Sequence, residues 1–150
     1  MVSITDNGSV EGHHKRVVLL HHLHTQWDAP CVMKQHNQQL AGGAHTTKSW
    51  GKDNAELAIL IGPMHRSMAL ALERRLKQTL ISNGGLAGRL KALVKLLQQQ
   101  TFVSRSISIP RQQLKQFRIR TSLSREHIAR LVGLHPTELS DLAEWQFGAI

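Results

Sequence analysis

The first chemistry on offer is metal ligation or nucleophilic attack, because His13, His14, His21, His22, His24, Cys31 and His36 fall within 24 residues. Imidazole and thiolate suit zinc or nickel, and a thiolate beside a histidine base can attack an electrophile. No familiar Cys/His spacing appears among them. The surrounding segment is rich in Gln, Asn and Gly, a composition ill suited to a rigid cleft. Cys31 is the single cysteine, so a disulfide framework and a multi-cysteine zinc site within the chain are both excluded, and a reducing compartment is the simpler expectation. Paired carboxylates, a phosphate-cradling glycine loop and a nucleotide fingerprint are absent from the sequence. We therefore expect no enzyme, no metal and no cofactor.

The second chemistry is the grip of cations on polyanions. The chain carries 19 Lys and Arg against 10 Asp and Glu, a net charge of +9, with a pI near 10.7. Such a balance favours nucleic acid, an anionic membrane or an acidic partner. Aromatic residues make up only 4% and Tyr is absent, which argues against a sheet that stacks single-stranded bases on exposed rings. No apolar run approaches the roughly 20 residues of a membrane span, and Asp6 and Glu11 stand where an export signal would be basic. A cytoplasmic protein without membrane contact is expected.

Charge is distributed unevenly. Residues 1–53 hold five basic and four acidic side chains and 7 of the 10 histidines, whereas the stretch from Arg66 to Arg130 holds 14 basic and two acidic ones. Residues 131–150 reverse the sign, with Glu138, Asp141 and Glu144 and no Lys or Arg. The first third reads as a weakly ordered, His-rich arm.

From Asp53 the pattern changes. Asp53 and Glu56 resemble a capping box ahead of an AELAILI helix that Gly62-Pro63 would break. A second helix would open at Pro63 and repeat Met64, Met68, Leu72, Leu76 and Leu80 every four residues. A third carries Leu86, Leu90, Leu93, Val94 and Leu97 on one stripe, making a hairpin suited to a core or a dimer surface. Phe102 to Ile109 alternates like a single strand in need of a partner.

The last 40 residues carry the clearest functional signal. Residues 111–120 suggest a short helix after Pro110 with Leu114 and Phe117 inward, Ser122 or Ser124 caps the next helix, and Pro136 opens a last one that Gly148 stops. A helix-turn-helix needs a small residue at the crossing and a residue tolerant of positive φ in the turn. Ala129 and Gly133 meet these needs, with Ile128, Val132, Leu134, Leu139 and Leu142 at the inward positions. Arg111, Lys115, Arg118, Arg120, Arg125 and Arg130 would hold phosphates, and Thr137, Ser140 and His135 would face bases. The acidic character of the final helix leaves two roles open, weak base reading or the docking of a partner subunit or polymerase.

Arg120 to Leu134, continuing to Leu142-Ala143-Glu144, resembles the helical region of the FlhD/FlhC heteromeric transcriptional activators and their relatives from conjugative elements. The Thr-x-Leu-Ser-Arg string at 121–125 is similar to the FlhC side; Glu126, Leu131, Leu134 and 142–144 are similar to the FlhD side. The zinc-binding cysteine quartet of FlhC proteins is absent, so the resemblance implies an FlhD-like bacterial subunit with a zinc-bearing, FlhC-like partner. Residues 114–148 also resemble a Cro/C1-type repressor domain, although that domain normally continues for one or two further helices.

These readings converge on a mainly α protein: a poorly ordered arm over 1–53, a helical oligomerisation layer over 54–100 and a helix-turn-helix over 101–150. The expected function is a DNA-binding transcriptional regulator, an activator subunit in a hetero-oligomer that meets double-stranded DNA and RNA polymerase. The alternatives are a repressor or a basic, ribosome-associated RNA-binding protein.

Overall fold

The computed structural model of the chain describes residues 2–5, 15–22, 29–42, 45–79, 85–99, 101–104, 107–110, 117–148 and 150. Along the chain run β1 (Val2–Thr5), β2 (Lys15–His22), α1 (Ala29–His36), α2 (His45–Lys48), β3 (Ala55–Met64), α3 (Arg66–Gln78) and α4 (Gly85–Gln98). After them come β4 (Thr101–Ser104), β5 (Ile107–Pro110), β6 (Arg118–Thr121), α5 (Arg125–Val132), α6 (Pro136–Leu142) and β7 (Glu144–Phe147). Five strands form one sheet in the order β1-β2-β3-β6-β7, and β4 pairs with β5 in a separate two-stranded sheet. The mainly α expectation is therefore corrected to a mixed α and β fold. The N-terminal third, expected as a poorly ordered arm, supplies β1 and β2 to that sheet.

β3 explains the correction. Ala58, Ile59, Ile61 and Met64 are buried in the main core, while Leu57 and Leu60 pack into a second cluster with Val32, Met33, Trp50 and Ala55. A strand covered on both faces needs apolar side chains at nearly every position, so its sequence shows no period-2 alternation and can be mistaken for a buried helix. Parallel pairing with β2 and antiparallel pairing with β6 satisfy its backbone. The strand runs through Gly62-Pro63, which the sequence suggested as a helix break, and α3 starts only at Arg66, with His65 as its N-cap.

The main core lies between one sheet face and α3, α4, α5 and α6. Ala69, Leu72 and Leu76 of α3 meet Leu90, Leu93, Val94 and Leu97 of α4 there, so the expected hairpin stripe is satisfied within the chain. Arg89 Nη1 donates to the Leu76 carbonyl at 3.2 Å, fastening α4 to the end of α3. β4 likewise finds its antiparallel partner in β5, which replaces the expected lone strand.

On the other face, α1 and Trp50 cover β3. The Asn37 side chain brackets Ala55, donating from Nδ2 to its carbonyl at 3.0 Å and accepting from its N–H at 2.7 Å on Oδ1. These bonds clip the end of α1 to the start of β3. His36, one residue earlier, is 2% exposed, and desolvation lowers its pKa below the ordinary 6.5. The unfolded chain then takes up a proton that the fold resists, so this contribution to stability is complete above about pH 6.5 and is lost as pH falls through the lowered value. Urea midpoints measured at pH 7.5 and pH 5 are expected to show that loss, with a smaller slope in His36→Gln; equal slopes in both proteins would exonerate His36.

Candidate nucleic-acid interface

The two helices anticipated near the C-terminus are present, joined by Gly133-Leu134-His135. Local chemistry sets their ends. Ser124 Oγ accepts the His127 N–H at 3.1 Å and caps α5, the choice that sequence left open between Ser122 and Ser124. Gly133 closes α5 at φ +74°, a left-handed conformation that a Cβ disfavours, and its N–H donates to the Ala129 carbonyl. α6 opens on a capping box in which the His135 N–H donates to Glu138 Oε2 at 2.6 Å and His135 Nδ1 accepts from the Thr137 N–H at 3.4 Å. Pro136 occupies the first turn, where its missing N–H removes no helical bond.

Tertiary contacts set the pose of the pair. Ile128, Ala129, Leu139 and Leu142 are buried in the main core, with Leu131, Val132 and Leu134 packed partly against it. The unit is the crossover between parallel strands β6 and β7 rather than part of a free-standing helical domain. Accordingly, residues 118–120, expected in a helix, form most of β6, and residues 144–147, expected to extend the last helix, form β7. At the entry, buried Thr121 donates from Oγ1 to the Ala58 carbonyl and accepts the Leu123 N–H, both at 3.0 Å. The Ser122 hydroxyl donates to the Leu57 carbonyl at 3.1 Å. At the exit, Phe147 stacks on Trp145 with centroids 5.9 Å apart, and the Arg125 guanidinium lies 4.9 Å from the Phe147 ring centre. Arg125 thus ties the first turn of α5 to β7.

The sheet divides the expected contact residues. In β6, Ile119 and Thr121 are buried while Arg118 and Arg120 are exposed. Because strand side chains alternate, both arginines lie on the face away from α5 and α6. Arg118 Nε is 3.7 Å from Glu144 Oε2 there, and Arg120 stands in register with Gln146. Arg125 and Arg130 are exposed on α5, and Thr137 and Ser140 are exposed on α6. The structure therefore gathers Arg125, Arg130, Thr137 and Ser140 on one two-helix unit and separates Arg118 and Arg120 from it. Arg111 and Lys115 lie outside the described residues.

On α6, Leu139 and Leu142 face the core, leaving Thr137, Ser140 and Asp141 on the opposite, solvent stripe at i, i+3 and i+4. Asp141 belongs to this stripe and was missed because the charge of the whole helix, rather than its helical phase, was weighed. Phe147 was missed as the partner of Arg125 because the pair spans 22 positions and meets only across the crossover.

Comparison of the chain with protein families, curated proteins and solved structures yields no match.

Replacing either helix signal tests this construction. Ser124→Ala should lower stability by about 1 kcal/mol through the lost cap. Gly133→Ala should cost about 1–2 kcal/mol because φ is positive even though no atom lies within 4 Å of the new Cβ, and Gly133→Asn should cost less. Denaturant midpoints check all three.

Proposed function

We propose that the protein is a DNA-binding transcriptional regulator that seats α5 and α6 on duplex DNA. The observation that carries the reading is the polar stripe of α6, held out to solvent by a helix that a capping box opens and whose other face is buried. At 1.5 Å per residue the seven residues of α6 span about 10 Å, a length that fits a major groove about 12 Å wide. Thr137 and Ser140 then meet base edges, and Arg130 with the outer edge of Arg125 meets phosphates. Arg118 and Arg120 serve a different surface of the molecule.

The FlhD/FlhC resemblance supports an activator subunit acting in the cytoplasm with a second, FlhC-like chain and RNA polymerase. No helix among the described residues is long and apolar enough to cross a membrane.

The test is a mobility-shift series over salt with duplex DNA pools and structured RNA. Enrichment of particular duplexes over random duplex and over RNA is expected, and tighter binding to structured RNA than to any duplex would sink the proposal in favour of a basic RNA-binding assembly protein. In the same assay, Arg130→Ala should weaken binding to every duplex and reduce the salt slope by about 0.9, the value of one lost phosphate contact. Arg120→Ala, on the opposite sheet face, should leave the slope unchanged.

A further inference from the structure

Three carboxylates close to one another, Glu138, Asp141 and Glu144, give the α6 region its negative charge, and the structure sorts them. Glu138 is turned back onto the His135 N–H at 2.6 Å, so its charge is spent at the positive end of its own helix. Glu144 belongs to β7 and lies beside Arg118 on the far face of the sheet. Asp141 alone stands on the outward stripe with Thr137 and Ser140, exposed and without a hydrogen bond or ion pair among the described residues.

A carboxylate only accepts hydrogen bonds. In the major groove the base edges offer it amino donors at cytosine N4 and adenine N6, and adenine N6 is flanked by the N7 acceptor, which repels it. Guanine presents two acceptors, O6 and N7, and thymine presents O4 and a methyl group. Cytosine is therefore the base edge that suits Asp141.

We propose that Asp141 is a specificity-determining residue that accepts from cytosine N4 at one position of the target and rejects guanine there. The inference rests on the reading that α6 lies in the major groove, and it assigns to α6 a base preference that neither Thr137, whose hydroxyl lies 2.8 Å from His135 Nδ1, nor Ser140, whose hydroxyl both donates and accepts, supplies.

The experiment is selection of bound sequences from a randomised duplex pool by the full chain, run in parallel with Asp141→Asn and Asp141→Ala. The wild-type pool should converge on sites with one cytosine whose replacement by guanine weakens binding about 10-fold or more. In Asp141→Asn that preference should move to adenine, whose N6 and N7 an amide pairs with, and in Asp141→Ala it should disappear. Thermal melting should be unchanged in both variants, since the exposed side chain makes no hydrogen bond or ion pair among the described residues. If both variants bind every sequence more tightly by the same factor and keep the wild-type preference, Asp141 is only a solvated charge and the assignment is overturned. If the wild-type protein enriches no sequence at all, base reading by α6 falls, and the assignment with it.

Discussion

Burial of β3 on both faces is the constraint on which the rest depends. A ten-residue apolar strand at the centre of a sheet needs a neighbouring strand along each edge and a cover over each face. β2 and β6 supply the edges. α3, α4, α5 and α6 cover one face through Ile59, Ile61 and Met64, and α1 with Trp50 covers the other through Leu57 and Leu60. The second cover stops at β3. Beyond it, β6 and β7 return to alternation, with Arg118, Arg120, Glu144 and Gln146 facing water and Ile119, Thr121 and Trp145 facing the helices.

That arrangement governs the candidate interface. α5 and α6 leave the sheet at β6 and return to it at β7, so both ends of the unit are anchored. Thr121 fixes the entry to the Ala58 carbonyl, and the Arg125–Phe147–Trp145 stack fixes the exit. A stripe such as Thr137, Ser140 and Asp141 discriminates between ligands only if its backbone holds still, because geometric precision must be in place before binding. Placing the pair in a crossover supplies that rigidity without a third helix of the kind a free-standing domain uses.

Local signals were legible where neighbouring residues along the chain decide the outcome. The Pro136 start, the Gly133 turn, the small Ala129 and the inward positions Ile128, Leu139 and Leu142 each express chemistry within one or two helical turns and are found as read. The α4 stripe is of the same kind. Val132 and Leu134, also read as inward, pack only partly against the core, and the cap left open between Ser122 and Ser124 falls to Ser124. Signals failed where a strand must be told from a helix by what lies on its far side. AELAILI has no period that separates the two, and residues 118–120 and 144–147 carry too few positions to show alternation. β2 lay in the stretch read as a weakly ordered arm, and pairing with β1 and β3 supplied the context that its four valines and leucines lacked.

The sequence by itself determined the Gly133 turn, the Pro136 start, the apolar stripe of α4, the uneven charge and the residue types available to grip phosphate or meet bases, because each depends on short-range geometry or on composition alone. Tertiary structure decided which of those residues share a surface. Alternation in β6 sent Arg118 and Arg120 to one side of the sheet while the crossover put Arg125, Arg130, Thr137 and Ser140 on the other, and a capping bond removed Glu138 from the stripe that Asp141 occupies. Those outcomes depend on strand pairing and on contacts between residues far apart in the chain, which periodicity does not encode.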